Sequence, residues 1–258
     1  MTQWLRFLYR DETGFGTLTP AGIAVHRGDM FSQNGPTGQI LSPADVTLLA
    51  PSTPSKVIAL WNNFHALAAK LNVPEPPEPL YLLKAPTTVA APSAVIRRPT
   101  AYTGKTAYEG ELGIVIGKVC SGISPEQADA MIFGYTCVND ITASDILNRD
   151  PTFPQWARAK GIDGYGPFGP VITTGRLDPR QLVVRTILNG AERQNYPISD
   201  MIFSAQDLVS QISQDMTLLP GDLICCGTSV GVGTMKEPVN TITVAIDGIG
   251  ELTNEFRQ

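Results

Sequence analysis

The sequence lacks the features that typify nucleic-acid-binding and membrane-spanning proteins. It has 258 residues and a formal net charge of −5, and its Lys and Arg residues form no basic run. Because phosphate binding requires clustered positive charge, we do not expect a nucleic-acid partner. No apolar run reaches the roughly 18 residues that a membrane helix needs, and no uninterrupted apolar segment precedes Arg10. We therefore expect a cytoplasmic, soluble protein with no membrane partner.

Cysteine is scarce, and long helical patterns are few. The four cysteines, Cys120, Cys137, Cys225 and Cys226, do not have zinc-ribbon spacing and lie in apolar surroundings. Buried reduced thiols are therefore expected rather than a metal or redox site. Gly and Pro are frequent, with 24 and 21 residues. This composition favours a mixed β-rich (α+β) protein with short helices.

The chain divides at a Pro- and Ser-rich segment that begins at Pro51. We interpret residues 1–50 as a small N-terminal β domain and residues 51–258 as a second, larger domain. Strands are predicted at Lys56–Leu60, Leu80–Leu83, Leu112–Ile116 and Leu182–Leu188, and a terminal hairpin is predicted around Asp247-Gly248. Short helices are predicted at Phe64–Leu71, Pro125–Phe133 and Ser204–Ser213.

Three carboxylates indicate a metal site. Glu109 and Glu111 precede the apolar stretch Leu112–Ile116, and their spacing places both side chains on one face of a strand, where they repel each other. A hard divalent cation between them would relieve the repulsion. Asp140, after another predicted strand, would complete an all-oxygen ligand set suited to Mg²⁺ or Mn²⁺. The alternative at this point is an ordinary pair of solvent-facing glutamates.

Several motifs follow one another in order over about residues 56–256. They are Tyr108-Glu109-x-Glu111-Leu112-Gly113, Gly134-Tyr135-Thr136 with Asn139-Asp140, Lys160-Gly161-x-Asp163-Gly164, Pro167-Phe168-Gly169-Pro170, Met201-Ile202-Phe203-Ser204, Pro220-Gly221-Asp222 and Gly227-Thr228-x-x-Gly231-Val232-Gly233. This series resembles the fumarylacetoacetate hydrolase family. The resemblance implies a β-sandwich roll, assembly as a homodimer, and Mg²⁺ or Mn²⁺ held by the residues Glu109, Glu111 and Asp140. The first fifty residues resemble the small N-terminal domain that many members carry.

The resemblance also implies roles for four other residues. Lys160 would approach the metal site, although the sequence alone favours a solvated surface lysine. Gly227 and Thr228 would offer a backbone N–H and a hydroxyl to a substrate carboxylate, the alternative being an ordinary turn at a strand end. His65 would lie on a lid over the site and polarise water, whereas a lone histidine on a short helix is more often structural.

The chain departs from the family pattern around this histidine. The family has a Glu three residues after the His, and this chain has Ala68 there. Glu75 or Glu78 on the following loop is a candidate replacement. The preceding Gly-Leu-Asn-Tyr of the family is Ala59-Leu60-Trp61-Asn62, and the usual Arg before Asp145 is Ser144.

Together these residues predict a metal-dependent enzyme that acts on a small 2-oxo or 2,4-dioxo acid. A 2-oxo acid can chelate a metal through its carboxylate and keto oxygens, which stabilises the enolate. The leading reaction is hydrolytic C–C cleavage of an acylpyruvate-like substrate. Decarboxylation, tautomerisation, isomerisation or hydration of a 2-oxo diacid from aromatic catabolism is the alternative within this class. A non-catalytic, metal-stabilised binding protein is the alternative of another class.

Overall fold

The computed structural model describes all residues from Met1 to Gln258. The strands are β1 (Thr2–Tyr9), β2 (Glu12–Thr19), β3 (Gly22–Gly28), β4 (Asn34–Leu41), β5 (Thr47–Leu49), β6 (Val57–Trp61), β7 (Leu80–Lys84), β8 (Val89–Ala90), β9 (Val95–Arg97), β10 (Thr106–Tyr108), β11 (Gly110–Ile116), β12 (Ile132–Asn139), β13 (Thr142–Ala143), β14 (Gly166–Thr174), β15 (Val183–Leu188), β16 (Ala191–Pro197), β17 (Leu223–Cys225), β18 (Gly233–Met235), β19 (Val239–Ile246) and β20 (Gly250–Arg257). The α-helices are α1 (His65–Leu71), α2 (Pro125–Ala128), α3 (Ser144–Leu147), α4 (Trp156–Lys160) and α5 (Ala205–Asp215). The predicted β-rich α+β class with short helices is confirmed. None of the helices has the length and apolar character that crossing a membrane requires.

The strands form three sheets, of which the two larger contain both parallel and antiparallel pairs and the smallest is antiparallel. The largest has 12 strands in the order β4-β3-β2-β1-β14-β12-β11-β17-β6-β7, with β5 paired to β1 and β8 paired to β14. A sheet of five strands has the order β16-β15-β19-β20-β9, and a sheet of three has the order β13-β10-β18. Most neighbours are antiparallel, whereas β6 runs parallel to β17. The predicted terminal hairpin is β19 with β20.

The first five strands are continuous with the large sheet. Strand β1 pairs with β14, where Trp4 lies opposite Ile172. The boundary predicted at residue 50 falls between β5 and β6, but hydrogen bonds of one sheet cross from the N-terminal segment to the rest of the chain. The N-terminal strands therefore extend the sheet that carries the candidate site.

Strand β11 lies at the centre of the core. Every residue from Gly110 to Ile116 is buried. Leu112 and Ile114 belong to the largest apolar cluster, together with α5 and residues of the sheet of five strands, while Val115 belongs to a second cluster that includes residues from β6 and β14. A strand covered on both faces has apolar residues at successive positions rather than at alternating ones, which is the pattern at residues 112–116.

The ends of two predicted helices can be compared with the structure. Helix α5 begins after Ser204, whose hydroxyl accepts from the Asp207 N–H while the Asp207 carboxylate accepts from the Ser204 N–H, so the predicted cap is confirmed. The helix predicted at Pro125–Phe133 was wrong beyond Ala128, where α2 ends. Ile132 there begins β12 and pairs with Ile116 of β11, because joining the sheet gives this apolar segment hydrogen bonds and burial that a surface helix lacks.

Candidate metal centre and active site

The structure brings the three predicted metal ligands together. Glu109 lies between β10 and β11, Glu111 is the second residue of β11, and Asp140 follows β12. Strand pairing places Gly110 opposite Asn139, and the Asp140 N–H donates to the Glu109 carbonyl oxygen at 2.8 Å. One carboxylate oxygen from each residue lies within 4.8 Å of the other two. Two neighbouring strands thus present three carboxylates to one point.

The environment of Glu111 fits a cation. Its side chain is buried, Oε2 accepts from the Gly227 N–H at 2.9 Å, and Oε1 has no hydrogen-bond partner. Burial, followed by the charge of Asp140, raises the pKa of Glu111 well above its usual range. A buried carboxylate oxygen without a partner is costly, and a divalent cation bound by oxygen ligands would satisfy it.

Lys160 is buried among these carboxylates. It ends α4, and its Nζ donates to Asp140 Oδ2 at 2.6 Å, Thr142 Oγ1 at 2.7 Å and Glu109 Oε2 at 3.0 Å. Burial alone would lower the pKa of Lys160, but the surrounding carboxylates, Asp140 first, raise it above its usual range. The side chain is therefore an ammonium group at neutral pH and acts as a hydrogen-bond donor.

Lys84 is a site residue that the sequence analysis missed. It ends β7, its side chain is completely buried, and its Nζ donates to Asp140 Oδ1 and to the Tyr165 carbonyl oxygen. Burial alone would raise the pKa of Asp140, but Lys160 and Lys84 hold it below its usual range. The sequence signal for this residue is a lysine directly after the apolar run Leu80–Leu83. A lysine that a buried strand carries into the core requires a carboxylate partner.

His65 is paired with a carboxylate from the following loop. His65 Nδ1 lies 2.6 Å from Glu75 Oε1, and the two side chains are 49% and 52% exposed. Ala68, at the position where the family has its Glu, is only 2% exposed. Of the two candidate replacements, Glu75 is the one in contact with His65.

The start of α1 lies beside the loop that follows β17. Asn63, two residues before His65, donates from Nδ2 to the Cys226 carbonyl oxygen at 2.9 Å. The adjacent Gly227 N–H is the group that binds Glu111. This contact connects the segment that carries His65 with the carboxylate cluster.

Gly227 and Thr228 border the cluster, and their predicted donors already have partners in the protein. The Gly227 N–H donates to Glu111, and the Thr228 hydroxyl donates to the Gly110 carbonyl oxygen at 3.1 Å while accepting from Gln194 Nε2 at 2.8 Å. In this conformation both groups shape the wall of the site.

Two departures from the family pattern have visible consequences. Trp61, where the family has Asn, packs against Trp156 with ring centroids 6.1 Å apart, so it contacts the helix that carries Lys160. Ser144, where an Arg is usual, donates to the Lys105 carbonyl oxygen at 3.1 Å.

The four cysteines are all buried and unbridged, which confirms the expectation of reduced thiols.

A set of three carboxylates on a mixed sheet, with two lysines bound to it, places the chain in the class of proteins that have a candidate centre for a divalent cation. Comparison with known proteins identifies the class. The profile described as fumarylacetoacetate (FAA) hydrolase C-terminal matches residues 56–257, and the profile described as Rv2993c-like, N-terminal matches residues 2–51. The chain belongs to the fumarylacetoacetate hydrolase family of enzymes.

Individual relatives agree with this assignment. Protein Rv2993c of Mycobacterium tuberculosis is 42% identical over 239 residues, which cover 92% of this chain and 87% of that protein. Oxaloacetate tautomerase YisK of Bacillus subtilis is 38% identical over 227 residues, covering 83% and 74%. The crystal structure described as 2-hydroxyhepta-2,4-diene-1,7-dioate isomerase from Mycobacterium marinum superposes with a TM-score of 0.89 at 37% identity, covering 100% of this chain and 98% of that one.

Proposed function

We propose that the chain is a divalent-metal-dependent tautomerase or isomerase that interconverts keto and enol forms of a small 2-oxo acid. Glu109, Glu111 and Asp140 would hold the ion, Mg²⁺ or Mn²⁺. When bound, such an ion orients a 2-oxo acid and stabilises negative charge on its keto oxygen. Lys160 adds an ammonium group that is hydrogen-bonded to two of the same carboxylates, so positive charge is available where the oxyanion develops.

The observation that carries this proposal is the exposed pair of His65 and Glu75. Keto–enol interconversion requires a group that moves a proton between carbon and solvent, and a half-exposed imidazole held by a carboxylate has that access. Lys160 is unsuited to act as the base, because its buried Nζ already donates to Glu109, Asp140 and Thr142. The names of two similar proteins, a tautomerase and an isomerase, support the same reaction class and a substrate with a second carboxylate.

Hydrolytic C–C cleavage of an acylpyruvate-like acid is the second candidate. It is favoured by the hydrogen bond between His65 and Glu75, because the same pair could polarise water. Hydrolysis also requires a water that is sheltered and oriented at the substrate carbon, and both side chains are half exposed. Closure of α1 over the site would be needed for this reaction. The candidate of another class is a metal-stabilised binding protein without turnover.

One experiment separates the three candidates. The protein is loaded with Mn²⁺ or Mg²⁺ and incubated in D₂O with oxaloacetate and, separately, with an acylpyruvate, and the products are followed by NMR. A tautomerase accelerates deuterium exchange at C3 without cleavage, a hydrolase releases pyruvate and a carboxylic acid, and a binding protein does neither. Glu111→Gln is the control for exchange catalysed by free metal. Release of pyruvate and a carboxylic acid from the acylpyruvate, faster than with Glu111→Gln and without accelerated exchange of oxaloacetate, would overturn the proposal.

We further propose a homodimer, as the family resemblance implies. Light scattering at micromolar concentration tests it, because a dimer has twice the 27.7 kDa mass of the chain.

A further inference from the structure

The backbone of Gly110, between the two metal-binding glutamates, is held by three side chains. Its N–H donates to Gln194 Oε1 at 3.0 Å. Its carbonyl oxygen accepts from the Tyr196 hydroxyl at 2.5 Å and from the Thr228 hydroxyl at 3.1 Å. All of these donors and acceptors are buried. Both backbone polar groups of Gly110 are therefore satisfied by side chains instead of by a neighbouring strand.

The reason is that β17 ends before it reaches this level of β11. Cys225 pairs with Gly113, and the last backbone contact is from the Cys226 N–H to the Leu112 carbonyl oxygen. Beyond it the chain turns away at Gly227, which has a φ of +90°. A strand edge buried without partners would be costly, so side chains must replace the missing strand.

Two of these side chains, Gln194 and Tyr196, come from β16 in the sheet of five strands. Gln194 lies opposite Thr186 in the pairing of β16 with β15, and a Cβ added to Gly110 would lie 2.0 Å from Thr186 Oγ1. The glycine at position 110 is what lets this sheet approach so closely. Gln194 is 1% exposed, so its amide cannot exchange these partners for water.

Gln194 also binds the loop on the other side of the site. Its Nε2 donates to Thr228 Oγ1 at 2.8 Å and to the Ser229 carbonyl oxygen at 3.4 Å. Because Thr228 in turn donates to the Gly110 carbonyl oxygen, a closed ring of hydrogen bonds joins Gly110, Gln194 and Thr228. The Gly227 N–H extends the connection to the Glu111 carboxylate.

We infer that Gln194 is a positioning residue that fixes the distance between the Glu109–Glu111 segment and the loop Gly227–Ser229. It would act without touching substrate or metal, by setting how the carboxylates face the substrate-binding side. The inference rests on the proposed function, since it concerns the same site. Its consequence is that loss of the Gln194 amide weakens metal binding and raises KM more than it lowers kcat.

The test compares Gln194→Met, which keeps the side-chain length but removes both hydrogen-bonding groups, with Gln206→Met. Gln206 donates to Asp129 on the protein surface and is the matched control. Mn²⁺ affinity is measured by titration calorimetry at a temperature at which each variant is fully folded. Residues that orient metal ligands typically change affinity by 10–100-fold, so we expect Gln194→Met to raise the Mn²⁺ Kd at least about tenfold. Gln206→Met should leave the Kd unchanged.

Thr228 provides a second route if Gln194→Met fails to fold. Thr228→Val removes the hydroxyl that closes the ring, whereas Thr228→Ser keeps it. We expect a raised Mn²⁺ Kd, measured without substrate, for Thr228→Val and a near wild-type Mn²⁺ Kd for Thr228→Ser. In the double variant with Gln194→Met and Thr228→Val, the second substitution should raise the Mn²⁺ Kd little beyond the effect of the first. A Gln194→Met protein with a lowered melting temperature but unchanged Mn²⁺ Kd and KM would overturn the inference. A wild-type protein that binds no Mn²⁺ would instead overturn the proposed function.

Discussion

Lys84 donates a hydrogen bond to Oδ1 of Asp140, and the side chains of both residues are completely buried. Lys160 binds the other oxygen of the same carboxylate. Each oxygen of Asp140 is thus held by a different ammonium group, and the carboxylate has one orientation. Orientation matters at this position because Asp140 is one of the three candidate metal ligands.

The first prediction concerns this ion pair. Lys84→Met leaves a buried carboxylate with one ammonium partner and removes a donor from the Tyr165 carbonyl oxygen. Breaking a buried pair by removing one partner costs about 3–5 kcal/mol, so we expect a loss of this order in the free energy of unfolding. Urea denaturation with EDTA present measures it. Lys118→Met, at an exposed position, is the control and should change stability by less than about 0.5 kcal/mol. Equal stability of the two variants would contradict the structural role of Lys84.

The second prediction concerns Glu111→Gln. The variant keeps an acceptor for the Gly227 N–H but removes a buried negative charge that lies near Asp140. Without metal it should be at least as stable as the wild type, because repulsion and the cost of burying the charge are relieved. Adding metal at 100 times its Kd should stabilise the wild type by about 2.7 kcal/mol and the variant much less. Thermal melts with EDTA and with Mn²⁺ check both expectations. A full Mn²⁺ response of the variant would remove Glu111 from the ligand set.

The third prediction concerns Lys160→Met. Losing one preorganised electrostatic partner of a developing oxyanion costs about 10²–10³ in turnover, and we expect a loss of at least about a hundredfold. Arg158→Met on the exposed part of the same helix should keep wild-type turnover. Steady-state kinetics at saturating metal provide the measurement. Unchanged turnover in Lys160→Met would limit Lys160 to holding Asp140 and Glu109 in place.

Local patterns predicted the parts of the fold and site that depend on neighbours in sequence. The spacing of Glu109 and Glu111 correctly placed two carboxylates together, and Ser204 with Asp207 predicted the start of α5. The prediction was wrong at Ile132, where pairing with Ile116 across the sheet overrode a helical pattern.

The residues that were missed act through long-range contacts. Lys84 is 56 positions from Asp140, and Gln194 is 84 positions from Gly110. Neither position carries a local signal for its partner, because the contact depends on how the sheets curve and pack together. The sequence suggested Glu75 and Glu78 equally as partners of His65, and only the path of the loop distinguishes them.

The fourth prediction concerns the pair of His65 and Glu75. If His65 transfers the proton, His65→Ala should lower turnover by about 10²–10⁴, the usual contribution of a general acid or base. Glu75→Gln keeps the length of the side chain but removes the charge that orients the imidazole, so it should lower kcat by a smaller factor with little change in KM. Glu78→Gln, at an exposed position on the same loop, is the matched control and should leave kcat and KM unchanged. Equal effects of Glu75→Gln and Glu78→Gln would argue against Glu75 as the partner of His65.

The last prediction concerns Ala68, where the family has its Glu. Ala68 is 2% exposed, whereas His65 on the same helix is half exposed, so a carboxylate at position 68 would be buried instead of meeting His65 at the surface. Burying a charge without a partner is costly, and we expect Ala68→Glu to lower the free energy of unfolding by about 3 kcal/mol or more. It should also fail to restore activity to Glu75→Gln, because the new carboxylate enters the core before it reaches the imidazole. Urea denaturation and kinetics of the double variant measure both effects. Wild-type turnover in the double variant would contradict this expectation. It would mean that α1 rotates position 68 towards the site in the working enzyme, and that the contact between His65 and Glu75 exists only while the lid is open.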